Sequence, residues 1–183
     1  MLDSEIVSKV ISLIPFNTYN NVKFAASDQQ IEYLQYGNVV KFPYRIYYVD
    51  IQDSVFNQFS DTEKAILHCI YSRCCDGYVR EKHIKALLST AYPDWTIPYI
   101  VKVCDEYVIE ILETVYTVLQ NQDNERIKHF CMENKKSFCL SYNRMISYWN
   151  EFYRKECYHY KNYIGRKLFI ECFGYTRSME RKK

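Results

Sequence analysis

TIPYIVKVCDEYVIEILETVYTVL, residues 96–119, is the stretch on which the fold turns. Ile97, Ile100, Val101, Cys104, Val108, Ile111, Leu112, Val115, Val118 and Leu119 step by three or four and keep to one broad face, the period of a helix half-sunk in a core. A strand of this length would alternate every second residue. Thr96 is placed to cap the N-terminus, Pro98 falls in the first turn where a missing N–H costs nothing, and residues 120–124 supply a polar stop. At 1.5 Å per residue the helix would run about 36 Å. The spacing therefore predicts one long spine helix.

The other face of that helix carries Lys102, Asp105, Glu106, Glu110 and Glu113. Glu106, Glu110 and Glu113 are spaced to lie along one acidic stripe, a candidate partner-binding surface. Carboxylates at this spacing serve as an acid and base pair, or as metal ligands when a histidine follows at the right offset, and no Glu-x-x-His accompanies them on this stretch. A solvated face accepting Lys and Arg from neighbouring helices is the plainer reading.

Upstream of the spine, Ser60-Asp61-Thr62-Glu63 has capping-box spacing and opens a helix with Ala65, Ile66, Cys69 and Ile70 in register. Asp76-Gly77 breaks it, a short helix follows over 79–88 with Ile84, Leu87 and Leu88 inward, and 91–95 turns the chain into the spine. Nearer the N-terminus a helix is predicted over 4–14, ended by Pro15, and another over 27–37, with Ile31 and Leu34 buried and Gly37 closing it. Residues 39–49, VVKFPYRIYYV, have strand composition interrupted by Pro43 and read as an extended segment with no partner strand.

Downstream, a helix is predicted near 123–134 around Ile127, Phe130 and Cys131. From Ser141 the positions Tyr142, Met145, Ile146, Trp149, Phe152, Tyr153, Cys157, Tyr160, Ile164 and Leu168 repeat at three and four, implying a second long helix broken near Gly165, then a frayed tail over 177–183. The expected fold is all-α: an irregular bundle of six or seven helices in consecutive antiparallel hairpins, with one extended segment near 39–49. Only four glycines and four prolines agree with that, and 183 residues fit a single domain able to bury about 70% of its unfolded surface.

Eight cysteines, at 69, 74, 75, 104, 131, 139, 157 and 172, follow an N-terminal stretch that carries Asp3 and Glu5 and lacks a small-residue cleavage site. They read as reduced and mostly buried, in a cytoplasmic protein with no membrane partner, since no apolar run approaches about 18 residues. The charge is uneven. Residues 1–60 hold four basic and six acidic groups, 61–120 six and nine, and 121–183 fourteen and seven, so the thirds carry −2, −3 and +7.

Three constellations are candidates for chemistry. His68, Cys69, Cys74, Cys75 and His83 could be read as a metal site, but zinc ligands usually come as a Cys-x(2–4)-Cys pair with a second pair at some distance, and the adjacent Cys74 and Cys75 at a helix end point apart. No metal or cofactor is expected. The corner Arg73, Asp76, Tyr78 and Arg80 could grip an acidic partner, or could pair with Asp76, Glu106 or Glu110 to fix the turn, Gly77 permitting a positive φ. In the basic third, Arg154, Lys155, Lys161, Arg166 and Lys167 interleave with Tyr160 and other tyrosines, as in proteins that pair phosphates and stack bases. Charge balance against the acidic spine is the alternative there.

The segments RCCDGYVRE (73–81), WTIPY (95–99) and EYVIEIL (106–112) together resemble a pattern in uncharacterised helical bacterial proteins, in which histidines often stand where this chain has Cys74 and Cys75. The resemblance covers about residues 60–119. It implies a helical fold and a bacterial origin, and no activity. No Gly-rich phosphate loop, nucleophile elbow or His-Glu-x-x-His occurs. With 19 tyrosines and 10 phenylalanines, the expected function is non-catalytic protein binding, for which an immunity-type protein that neutralises a bacterial toxin is the particular form. Nucleic-acid binding through the basic C-terminal helix and an uncharacterised enzyme are the alternatives.

Overall fold

In the computed structural model, which describes residues 4–13 and 26–180, the stretch 96–119 forms two helices instead of one. The first, Ile97–Val103, ends on tight turns in which the amides of Cys104 and Asp105 donate to the carbonyls of Val101 and Lys102. The second, Ile109–Leu119, begins after Val108, whose backbone is extended. Asp105 supplies the reason for the break. Its buried carboxylate accepts from Lys102 Nζ at 2.7 Å, Ser141 Oγ at 2.9 Å and Arg144 Nη1 at 2.7 Å. A buried charge must be paired, and the chain leaves its helical path over 104–108 where those three donors gather. Apolar spacing is blind to this. It reported the burial of both halves correctly and missed the polar group between them.

The chain is mostly helical, with a small two-stranded antiparallel sheet. Helix α1 (Ser4–Leu13) agrees with expectation within the described residues; Pro15 lies outside them. The helix predicted over 27–37 is instead strand β1 (Gln30–Gln35), paired with β2 (Asn38–Pro43) through a two-residue turn. Tyr36 (φ 51°) and Gly37 (φ 76°) are both left-handed there, the condition for a hairpin turn whose twist matches its strands. Alternation is visible in the outcome: Tyr33 and Gln35 are buried, and Leu34, expected inside, is exposed. So the extended 39–49 segment does have a partner strand, the one read as helix.

Two compact units divide the described chain. The first comprises residues up to 32 and 41–99. It contains α1, the short α2 (Asp53–Phe56), α3 (Asp61–Tyr71) and α4 (Gly77–Leu88). The capping box is formed as the sequence indicates: Ser60 Oγ accepts from the Glu63 amide while the Glu63 carboxylate accepts from the Ser60 amide. Asp76 caps α4 by accepting from the Tyr78 amide at 2.9 Å, and Gly77 sits inside the first turn without a positive φ, contrary to expectation. Val10, Ile46, Tyr48, Ile51, Ile66, Leu67, Tyr71 and Cys74 form the core of this unit. Ile46 is stitched into it by backbone bridges to Ala26 and Cys74.

The second unit comprises residues 33–40 and from 100 onward. After the helix that begins at Ile97, here α5 (Ile97–Val103), come α6 (Ile109–Leu119), α7 (Glu125–Glu133) and α8 (Lys135–Tyr148). The expected long C-terminal helix is interrupted. It passes from α8 into a wide π-helical turn over Trp149–Tyr153, leaves it for turns that include a 3₁₀ turn at Tyr160–Asn162, and resumes as α9 (Ile164–Lys167) and a second π turn over Leu168–Cys172. The break falls before Gly165, which is buried inside α9. A Cβ there would meet Tyr163 Cε1 at 2.7 Å and Met145 Sδ at 2.9 Å, so glycine marks close packing of α9 on α8. Nor is the tail frayed as far as it is described: Arg177–Glu180 forms a 3₁₀ turn with Met179 buried.

Asn134, at the junction of α7 and α8, holds the hairpin tip. Its side chain receives the Leu34 amide and donates to the Leu34 carbonyl, both at 2.7 Å, as a neighbouring strand would. The Glu133 carboxylate receives the amides of Tyr36 at 2.9 Å and Gly37 at 2.7 Å. Helix side chains thus complete the outer edge of β1, which answers the exposed-edge problem of a two-stranded sheet.

Candidate functional site

Where the C-terminal helix breaks, its side chains turn outward. Inward-facing positions of α8 are Phe138, Tyr142 and Met145, but the π turn that follows shifts the register. Phe152, which helical spacing places in the core, is instead 53% exposed. It meets Tyr107 (centroids 5.9 Å) and Tyr148 (6.0 Å from Tyr107, 6.1 Å from Phe152) in a closed trio of rings. Tyr107 is 52% exposed and stands in the 104–108 break between α5 and α6. The trio therefore exists because two expected helices are both interrupted. The Tyr153 hydroxyl donates to the Tyr107 carbonyl and fixes one break against the other.

Arg154 extends this surface. Its guanidinium lies 5.9 Å from the ring centres of both Trp149 and Tyr158 and donates to Asn150 Oδ1 at 3.0 Å. Tyr158 is exposed, as are Lys155, Glu151 and Glu156. Burial raises the Tyr153 hydroxyl pKa, with the charges of Glu110 and Glu156 adding to the effect. Charges of both signs thus rim the aromatic rings.

The basic residues of interest separate. Arg154, Lys155 and Lys161 are exposed, whereas Arg166 and Lys167 are half-buried on α9. Tyr160 turns inward beside Trp149 (4.8 Å), with Arg166 over its ring at 5.9 Å, and burial first of all raises its hydroxyl pKa. The acidic stripe is likewise divided: Glu110 and Glu113 are exposed on α6, but Glu106 is buried in the break.

The α3–α4 corner faces inward. Arg73 and Arg80 are both 1% exposed. Arg73 donates to the Tyr44 carbonyl at 2.7 Å, and Arg80 to the carbonyls of Cys74 and Cys75 at 2.8 and 2.9 Å. Arg80 closes the turn by hydrogen-bonding its carbonyls, and Arg73 ties the corner to the segment at Tyr44. Tyr78 alone of the corner points out, at 85% exposure.

Of the groups read as metal candidates, Cys69 and Cys74 are buried and Cys75 is exposed. Among the described residues no set of three or more ligating groups could hold a metal ion. His68 and His83 do meet, Nδ1 to Nδ1 at 2.9 Å, and His83 Nε2 lies 2.7 Å from Asp50 Oδ1. Lys82 donates to the same carboxylate at 2.8 Å. Partial burial pushes the Asp50 carboxyl up, but the hydrogen bonds from His83 and Lys82 outweigh it and bring it to about 2. Burial, then the charges of His83 and Lys82, lowers His68 to about 4. The sequence reading grouped the two histidines with the cysteines and missed Asp50; a lone aspartate in an extended segment carries no periodic signature.

No helix among the described residues is long and apolar enough to cross a membrane. The chain matches no family model, no curated protein and no solved structure.

Proposed function

We propose that this chain is a non-catalytic protein-binding module and that the surface made by Tyr107, Tyr148 and Phe152 is its contact. The observation that carries the reading is the trio itself: three mutually packed rings, two of them half-exposed, beside an arginine held between Trp149 and Tyr158. Aromatic residues and arginine dominate the energetic centres of protein interfaces, and rings already packed together lose little freedom on binding. The rim supports a protein partner over a phosphate backbone, because Glu151 and Glu156 flank Arg154 and Lys155. In its particular form the reading is an immunity-type protein that covers a toxin domain, which a small helical chain can do by occlusion alone.

Affinity capture from host extract at physiological salt tests it. Wild type should retain a stoichiometric protein companion that Tyr107→Ser/Phe152→Ser loses at an unchanged melting midpoint. A companion retained equally by both would refute this surface. The second reading, single-stranded nucleic acid, draws on the joint exposure of Arg154, Lys155, Tyr158 and Lys161. It predicts bound material with high 260 nm absorbance that leaves as salt rises.

A further inference from the structure

Asp50, His83 and His68 form a hydrogen-bonded chain in the first unit whose proton count is constrained by geometry. A carboxylate can only accept, so the proton between His83 and Asp50 sits on Nε2 of the imidazole. The two Nδ1 atoms at 2.9 Å need one proton between them. With none, two lone pairs would face each other; with two, two N–H groups would. In the neutral pair His68 donates to His83. One added proton preserves the bond, because either imidazolium can donate to the other, neutral ring. A second added proton abolishes it, since both Nδ1 atoms then carry hydrogen.

We propose that His68 and His83 are a proton-operated latch between α3 and α4, closed while the pair holds at most one extra proton and opened by the second. His68 belongs to α3 and His83 to α4, and these helices pack directly on each other. The rings are sheltered: Phe56 of α2 lies 4.9 Å from the His68 ring, and Tyr71 stacks on His83 at 4.8 Å. The charges around the pair come from every packed element. Lys64 and Lys82, from α3 and α4, oppose the second proton. Asp50, from the connector before α2, favours it, and is itself engaged by Lys82, which also reaches Asp53 of α2 at 3.4 Å. On the α1 side, Lys9 is bonded to Glu63 at 2.6 Å.

The sign of the pH dependence follows from the direction of the His68 shift. Its folded value lies below the ordinary 6.5, so its contribution to stability is complete above about 6.5 and is lost as pH falls through about 4. Asp50, held at about 2, stays ionised across that window. The latch rests on contacts separate from the surface around Phe152, and its failure would leave the protein-binding reading intact.

Nitrogen-15 NMR of the full chain tests it through the scalar coupling across the Nδ1–H···Nδ1 bond, followed from pH 7.5 to 3.5 beside the denaturation midpoint. The coupling should be present at neutral pH and vanish as pH passes about 4, with the midpoint declining from about pH 6.5 downward. His68→Gln should flatten that decline. Should this variant not fold, Lys82→Met serves instead: removing a cation beside the pair should move the loss of coupling to higher pH. Absence of coupling at neutral pH, with His68 titrating near 6.5, would overturn the latch. So would stoichiometric zinc shifting both Nδ1 resonances, which would make the pair a metal site.

Discussion

Arg73 and Arg154 each lie 5.9 Å from a tyrosine ring centre, yet one is sealed in a corner and the other lies open on a surface. Arg73 has Tyr44 on both counts, ring and carbonyl, and its neighbour Arg80 holds the carbonyls that end the α3 turn. Arg154 rests between two rings that themselves face outward. The same residue types therefore serve as a structural clasp in one place and as an available contact in the other, and burial decides which. Polar groups turned inward are committed to the fold. Around Phe152 the rings and Arg154 face outward, and that is what makes them candidates for a partner.

Variants on the inward side should cost most. Replacing Asp105 by Ala removes the buried carboxylate on which Lys102, Ser141 and Arg144 converge and should destabilise the second unit by about 3–5 kcal/mol in denaturant unfolding. Arg80→Ala strips the buried Cys74 carbonyl and the Cys75 carbonyl of a charged donor and should cost about 3 kcal/mol, which would confirm the corner as structural. Gly165→Ala forces Met145 and Tyr163 aside and should cost about 1–3 kcal/mol. Asn134→Ala unties the hairpin tip for about 1–3 kcal/mol, read best as faster amide exchange at Leu34. On the outward side, Arg154→Ala and Phe152→Ser should each stay within about 0.5 kcal/mol. A large loss from either would erase the contrast.

The sequence disclosed local chemistry well and chain breaks poorly. Ser60 with Glu63 is a cap whose donors and acceptors lie within three residues, so spacing alone identifies it, whereas Asp76, read only as part of a break, caps α4. The inward faces of α3, α4 and α7 follow from apolar period for the same reason. The breaks at 104–108 and after Tyr153 depend on partners remote in sequence. Asp105 is satisfied from Ser141 and Arg144, and Tyr107 is tied to Tyr153. The β1 strand was hidden because residues 27–37 contain Ile31 and Leu34 at helical spacing, while the alternation of Tyr33 and Gln35 and the left-handed turn at Tyr36-Gly37 compete with it. Because the exposed aromatic trio lies where both helices break, it inherits that illegibility.

Two exposed aromatics offer the most direct test, since Tyr78 of the corner is more exposed than Phe152 and lies outside the proposed surface. A photo-crosslinking phenylalanine analogue would be placed at position 78 or at 152 and irradiated in host extract. Protein binding through the trio predicts a discrete covalent protein adduct from 152 and none from 78. An adduct from 78 alone, or a nucleic-acid adduct from 152, would contradict it.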